Sequence, residues 1–342
     1  MRLVYFSGHG NFGDELNAVL WPRLAAEQFT AADRTGFLGI GTIIGMPTPE
    51  CDFLHVFSSG VGYDRLAGWG VARRIWCVRG PLTAHMLGVD IGAALTDGAI
   101  LAPSIITAEA GEGTGPAGAA AVGVMPHWQS LQAPGWQRAC ALAGFTLLDP
   151  VGEPAGVIRA LLRMRLVLTE SLHGAIIADS YGIPWIPICT SGNFSVFKWM
   201  DWCLSMEVGL AAVMVPPPSM DALLRFGRPA TARWGDRVTF STCDAVDEFD
   251  RRTSLAPAPA APPGLPAQAR ALLRPALARS GPLLGPLGRL AGYAPARTAA
   301  HLTRAAQGPS TLSRAALRAQ RREQMMQRLG EFRRAMAPGA VA

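Results

Sequence analysis

Glu170, Ser171 and His173 stand within four positions of one another and form the densest group of chemistry-bearing side chains in the sequence. A carboxylate, a hydroxyl and an imidazole so close together can bind an anion or move a proton. They lie in LVLTESLHGAIIADSYGIPWIPI, residues 166–188. There Leu166–Leu168 predicts a strand, Ala175–Ala178 a helix ended by Gly182, and Trp185–Ile188 a second strand. Strand, turn, helix and strand make one parallel crossover unit, so the turn falls at the carboxyl edge of a sheet, where open α/β sheets bind ligands. The helix start offers unpaired N–H groups and a partial positive charge, and an anion is the expected guest.

The remaining candidates fall at the ends of other predicted strands. Gly8-His9-Gly10-Asn11-Phe12-Gly13 matches G-x-G-x-x-G between a strand and a helix, with Asp33 about 20 residues on. Asp14 and Glu15 argue against a dinucleotide, because two carboxylates in the first helical turn repel a pyrophosphate. Asp14 either stabilises that helix or accepts a proton from a sugar hydroxyl. Arg79 closes a strand before Gly80-Pro81 and reads as an anion ligand or a surface ion pair. Asp97-Gly98 is a strand-end acid or ordinary turn chemistry. In Met125-Pro126-His127-Trp128, His127 is a catalytic candidate or a structural histidine beside an indole. Lys198, the single lysine of the chain, sits between Phe197 and Trp199 and either reaches an anion or snorkels to the surface. No histidines or carboxylates have metal-ligand spacing, and G-x-S-x-G is absent.

These positions require strands and helices in alternation. Strands are predicted at Arg2–Phe6, Phe37–Ile40, Leu54–Phe57 and Ile75–Val78, with helices at Asp14–Phe29 and Pro81–Leu87. After a glycine-rich linker at 109–120, a second alternation has strands at Ala121–Met125, Phe145–Leu148, Leu166–Leu168, Trp185–Ile188 and Leu210–Val215, with helices near Gln137–Ala143 and Ala155–Arg163. The expected fold class is α/β, with two Rossmann-like domains, 1–108 and 121–255, facing across a cleft. Residues 256–342 read as an Ala/Pro/Arg-rich basic tail without a packed domain. Its exception is an amphipathic helix near 311–336, with Leu312, Ala316, Ala319, Met326, Leu329, Phe332 and Met336 at helical spacing, suited to an anionic membrane or to its own protein.

Charge follows this division. Residues 251–342 hold 15 arginines against 2 glutamates, a charge of +13, which leaves −7 for the rest of a chain whose total is +6. Nucleic-acid binding would rest on that tail alone, without interleaved aromatics, and is not expected. The six cysteines show no regular pairing and read as reduced, mostly buried thiols. No apolar run reaches the roughly 18 residues of a membrane span. MRLVYFSGHG lacks a charged lead followed by an apolar core, so the expected location is cytoplasmic, soluble or peripheral at the inner face of the cell membrane.

Taken in order, several segments resemble the polysaccharide pyruvyltransferases, and most nearly the bacterial exopolysaccharide (succinoglycan-type) ketal pyruvyltransferases. They are Asn11-Phe12-Gly13-Asp14-Glu15-Leu16-Asn17, Gly39-Ile40-Gly41-Thr42, Ser59-Gly60-Val61-Gly62, Cys77-Val78-Arg79-Gly80-Pro81-Leu82-Thr83, Thr96-Asp97, Met125-Pro126-His127, Glu170-Ser171-Leu172-His173-Gly174 and Phe197-Lys198-Trp199. The likeness runs from about Arg2 to about Glu207 and excludes the tail past Ser254. It implies a fold like that of the two-domain, GT-B-like glycosyltransferases, with the acceptor on the first domain and the donor on the second. The implied reaction moves pyruvate from phosphoenolpyruvate onto two sugar hydroxyls of an exopolysaccharide repeat unit, expected to be lipid-linked. The products are a cyclic ketal and phosphate, and no cofactor is implied. The Leu172-His173-Gly174 segment is associated with the donor, but where some relatives carry arginine before it, this chain has Ser171.

Phosphoenolpyruvate brings about three negative charges to a helix start offering about half a positive one, so Arg79 and Lys198 are expected to supplement it. His173, Asp14 and His127 are the expected catalytic groups, with Arg79, Lys198, Ser171, Glu170, Asn11 and Asp97 binding substrate. Two other readings stay open: a nucleotide-sugar glycosyltransferase of the same architecture, and a non-catalytic scaffold of polysaccharide assembly.

Overall fold

The computed structural model describes residues 1–8, 10–29, 34–48, 50–63, 66, 69–107, 121–229, 233–254 and 293–337. Asp33, the linker at 109–120 and the low-complexity residues 256–292 lie outside these described residues. The first strand-helix alternation builds a four-stranded parallel sheet, ordered β1-β2-β3-β4. Its strands are β1 (Arg2–Val4), β2 (Thr35–Leu38), β3 (Phe53–Phe57) and β4 (Ala72–Cys77). The second builds a six-stranded sheet from β5 (Val122–Met125), β6 (Thr146–Leu147), β7 (Leu166–Thr169), β8 (Trp185–Cys189), β9 (Leu210–Met214) and β10 (Arg237–Phe240). Its order is β10-β9-β8-β7-β5-β6, parallel except for the antiparallel β10. The parallel strands β5, β7 and β8 are buried at every residue, because helices cover both faces. Arg237-Val238-Thr239-Phe240 alternates polar and apolar as an edge strand does, which hides it from a search for continuous apolar runs.

The helices are α1 (Phe12–Leu24), α2 (Pro81–Leu87), α3 (Trp128–Leu131), α4 (Trp136–Ala143), α5 (Pro154–Leu162), α6 (Leu172–Ser180), α7 (Val196–Ser205), α8 (Asp221–Phe226), α9 (Thr242–Ser254), α10 (Pro295–Ala306) and α11 (Ala315–Ala335). In the second sheet β6 lies to one side of β5 and β7 to the other, so the chain reverses its direction of winding between them. A crevice opens where strand order reverses, and the turns after β5 and β7 carry His127 and Glu170–His173.

The tail departs from expectation. Among its described residues it packs rather than hanging free, with α10 against α4 and α11 against the first sheet. Phe332 is fully buried, its ring centroid 5.2 Å from that of Phe37 and 5.3 Å from that of Trp76. The buried stripe of α11 is Leu317, Met325, Leu329 and Phe332, one position out of the expected register near Ala316, while Met326 is exposed. Its arginines turn inward as well. Arg321 donates to the carbonyl of Ser205 at the end of α7, and Arg322 to that of Ser180 at the end of α6, while Arg328 donates to Trp76. The last carbonyls of a helix lack intrahelical partners and carry partial negative charge, so guanidinium groups are natural caps for them. Of the two surroundings open to this helix, its own protein is therefore the one it uses. Five cysteines are buried and free, and Cys243 is exposed and free. No helix among the described residues is long and apolar enough to cross a membrane.

Candidate active site

Residues from both halves line one cavity of about 460 Å³, a size suited to a small-molecule ligand. Phe6, Asn11, Asp14, Thr42 and Tyr63 come from the first half, and His127, Trp128, Glu170, Ser171, His173, Asn193 and Lys198 from the second. Seven of the nine expected site residues are thus brought together, and Arg79 and Asp97 are not in the wall.

His173 sits in the first turn of α6, and its imidazole rests on Gly13 of α1 so closely that a Cβ there would lie 2.0 Å from Nδ1. The last glycine of the G-x-G-x-x-G pattern thus serves as a seat for a side chain of the other half. Burial, then Arg79 and Lys198, hold the His173 pKa down to about 3, so the ring is neutral near pH 7. Ser171 caps α6, its Oγ accepting the Gly174 N–H at 3.3 Å, which gives the expected ligand hydroxyl a structural duty.

Glu170 is buried at 3% exposure and is fully used. One oxygen accepts the N–H and hydroxyl of Thr190 at 3.1 and 2.6 Å, and the other accepts the His127 N–H at 3.2 Å. It ties together the ends of β5, β7 and β8. Burial raises its pKa, while its hydrogen bonds to Thr190 and His127 pull it back in part.

His127 caps α3 through Nδ1, which accepts the Gln129 N–H at 3.3 Å and lies 2.9 Å from Asn193 Nδ2. Burial, then Lys198, Arg225 and His173, lower its pKa to about 3. A neutral ring accepting at Nδ1 carries its proton on Nε2, so His127 is a hydrogen-bond donor rather than a cation. Asp14 accepts from Asn11 Nδ2 at 2.7 Å, which orients its carboxylate in the cavity wall. Lys198 crosses from α7 to the first half, donating to Tyr63 Oη at 2.7 Å with its ammonium 4.1 Å from the ring centroid.

Arg79 is not a surface ion pair, and it does not line the cavity. It is fully buried, with Nε donating to Asp201 at 3.0 Å, Nη1 to Thr42 Oγ1 at 2.8 Å and Nη2 to the Val61 carbonyl at 3.0 Å. Gly60 makes room for it, since a Cβ there would lie 2.2 Å from the guanidinium carbon. Asp97 is also fully buried and caps the 3-10 segment Gly98–Ser104, while its second oxygen lies 3.9 Å from His173 Nε2.

Lys198 is the one lysine or arginine that lines the cavity among the described residues. Among the same residues, no group of three or more His, Cys, Asp or Glu side chains is placed to hold a metal ion. Sequence reasoning missed Tyr63, Asn193 and Thr42 as lining residues. The turns Ser191-Gly192-Asn193 and Gly62-Tyr63, each just past an apolar run, were the available signal.

Residues 125–191 match the family described as polysaccharide pyruvyl transferase. The matched span begins at the last residue of β5 and ends two residues past β8, so it covers His127, Glu170, Ser171 and His173. The succinoglycan biosynthesis protein ExoV of Rhizobium meliloti (strain 1021) is 34% identical over 220 residues, which is 63% of this chain and 68% of that protein. The chain belongs to the polysaccharide pyruvyl transferase family and is a pyruvyltransferase.

Proposed function

We propose that this pyruvyltransferase takes pyruvate from phosphoenolpyruvate and sets it as a cyclic ketal on a sugar of a lipid-linked exopolysaccharide repeat unit, releasing phosphate. The observation that carries this reading is the wall of the shared cavity. Lys198, the His127 Nε2–H and the start of α6 are donors suited to a phosphate and a carboxylate, and Asp14 stands on the opposite half. In this reading the two sheets belong to Rossmann-like domains of GT-B type, with donor on the second and acceptor on the first.

The reaction begins with His173 protonating the methylene carbon of the donor, which leaves an oxocarbenium-like centre. A sugar hydroxyl adds to that centre as Asp14 accepts its proton. Phosphate leaves towards Lys198 and His127 as its C–O bond breaks, and a neighbouring hydroxyl closes the ketal, its proton passing to the departing phosphate. A lipid-linked acceptor would bring the protein to the inner face of the cell membrane, where tail arginines not turned inward meet anionic headgroups.

Purified protein incubated with phosphoenolpyruvate and a lipid-linked oligosaccharide is expected to release phosphate and add an acid-labile carboxyl group. Phosphoenolpyruvate, and not a nucleoside diphosphate, should raise the melting temperature. His173→Ala is expected to lower kcat by about 100-fold or more. Full activity in that variant would remove His173 from the reaction.

A further inference from the structure

Asp97 Oδ2 and His173 Nε2 face each other where the two halves meet, both sealed from solvent, neither with a hydrogen-bond partner, and 3.9 Å apart. Leaving a buried polar atom unsatisfied is costly, so two such atoms aimed at one another call for an explanation. Each is held from behind. Asp97 Oδ1 accepts the Ala99 N–H at 3.0 Å, which leaves Oδ2 as the open oxygen. The His173 ring lines the cavity and is fixed by its contact with Gly13, with Nε2 turned to Asp97 and Nδ1 the nitrogen left for a substrate.

We propose that Asp97 and His173 form a proton relay, in which Asp97 passes the proton on Oδ2 to Nε2 as Nδ1–H of His173 gives its own to the methylene carbon of the donor. The relay rests on the donor reading above. Two bonds to hydrogen break, Oδ2–H and Nδ1–H, and two form, Nε2–H and the new C–H. The enol π pair takes up the proton, and the positive charge is left on the substrate carbon. Asp97 ends as a carboxylate, and the imidazole is neutral before and after, its proton moved from one nitrogen to the other. The gap must close by about 1 Å for transfer.

The electrostatics agree with this direction. Burial pushes Asp97 up to about 7, with the Ala99 N–H and Arg79 pulling it down and Asp14 and Asp201 pushing it up. Burial, Arg79 and Lys198 keep His173 near 3. Up to neutral pH the proton therefore resides on the carboxyl, and the ring is left uncharged. Asp97 acts through His173 and is a positioning residue.

Asp97→Asn tests the relay, because an asparagine still accepts from Ala99 and donates to Nε2 but cannot surrender a proton. The expected result is a kcat about 100-fold lower or less, with KM for phosphoenolpyruvate changed by no more than about twofold. Wild type should lose kcat as pH rises above about 7, and the variant should not. Wild-type kcat and an unchanged pH profile in this variant would overturn the relay. Nitrogen-15 spectra of labelled histidine read the pair without turnover. His173 in the wild type should change from Nδ1–H to Nε2–H as pH passes about 7, and in the variant it should not. A wild-type ring that keeps one tautomer throughout overturns the relay even if the transfer reaction stands. A tautomer change without turnover on phosphoenolpyruvate supports the exchange within the pair and overturns the donor instead.

Discussion

Two buried polar clusters lie where the two sheets meet, and they are finished differently. Around Arg79, donors and acceptors are matched: the guanidinium has Asp201, Thr42 and Val61, and Asp201 also accepts the N–H and hydroxyl of Thr83 at 2.9 and 2.7 Å. Around His173 they are not, since Nε2 and Asp97 Oδ2 stay open. A buried ion pair in which every nitrogen and oxygen atom has a partner has little to offer a substrate, whereas an unsatisfied pair keeps its capacity to exchange a proton. Formal charge at a strand end is thus a poorer guide to chemistry than a count of the bonds each group already makes.

The contrast breaks first at Arg79. Arg79→Ala leaves Asp201 buried without its counter-charge and should cost about 3–5 kcal/mol in urea unfolding. Unchanged stability with weakened donor binding would return Arg79 to the ligand set. Asp97→Asn probes the open cluster by pH. The folded pKa of Asp97 is raised from 3.8 to about 7, so the folded state holds this proton more tightly between those values. Its contribution to stability is full below about 4 and is lost as pH rises through about 7. The variant should therefore gain on wild type by a few kcal/mol, of the order of the shift, between about pH 4 and 7, with no further gain above. Melting temperatures across that range check it. His127 acts in the opposite sense, since its pKa of about 3 makes its contribution full above about 6.5 and lost as pH falls towards 3.

A smaller effect is expected at Lys198, which lines the cavity and holds Tyr63. Lys198→Met should raise KM for phosphoenolpyruvate about 10-fold or more by removing a charge-assisted contact, with folding stability little changed. An unaltered KM would leave the lysine as a tie to Tyr63 alone. The smallest effect belongs to Ser171. Ser171→Ala removes the α6 cap and should cost about 1 kcal/mol in thermal or urea unfolding, while KM stays as in wild type.

Much of this was legible in the chain itself. Apolar runs at Leu166, Trp185 and Val122 marked buried parallel strands, and Glu170, Ser171, His173 and His127 at their ends marked the sheet edge that became the cavity wall. Periodicity also found the tail helix, because Leu329 and Phe332 repeat at helical spacing whatever they pack against. These features are local, set by what a strand or helix must bury and by the turn that ends it.

What the helix packs on, and what each polar group at a strand end already binds, depended on partners far along the chain. Arg79 finds Asp201 122 positions away, Asp97 faces His173 of the other half, and Phe332 enters a core begun by Phe37. A single side chain's type gives its possible bonds but not their occupancy. Only the assembled fold decided that each nitrogen of Arg79 has a partner while the turn after β7, with Ser171 as its uncharged cap, keeps an imidazole with one nitrogen open.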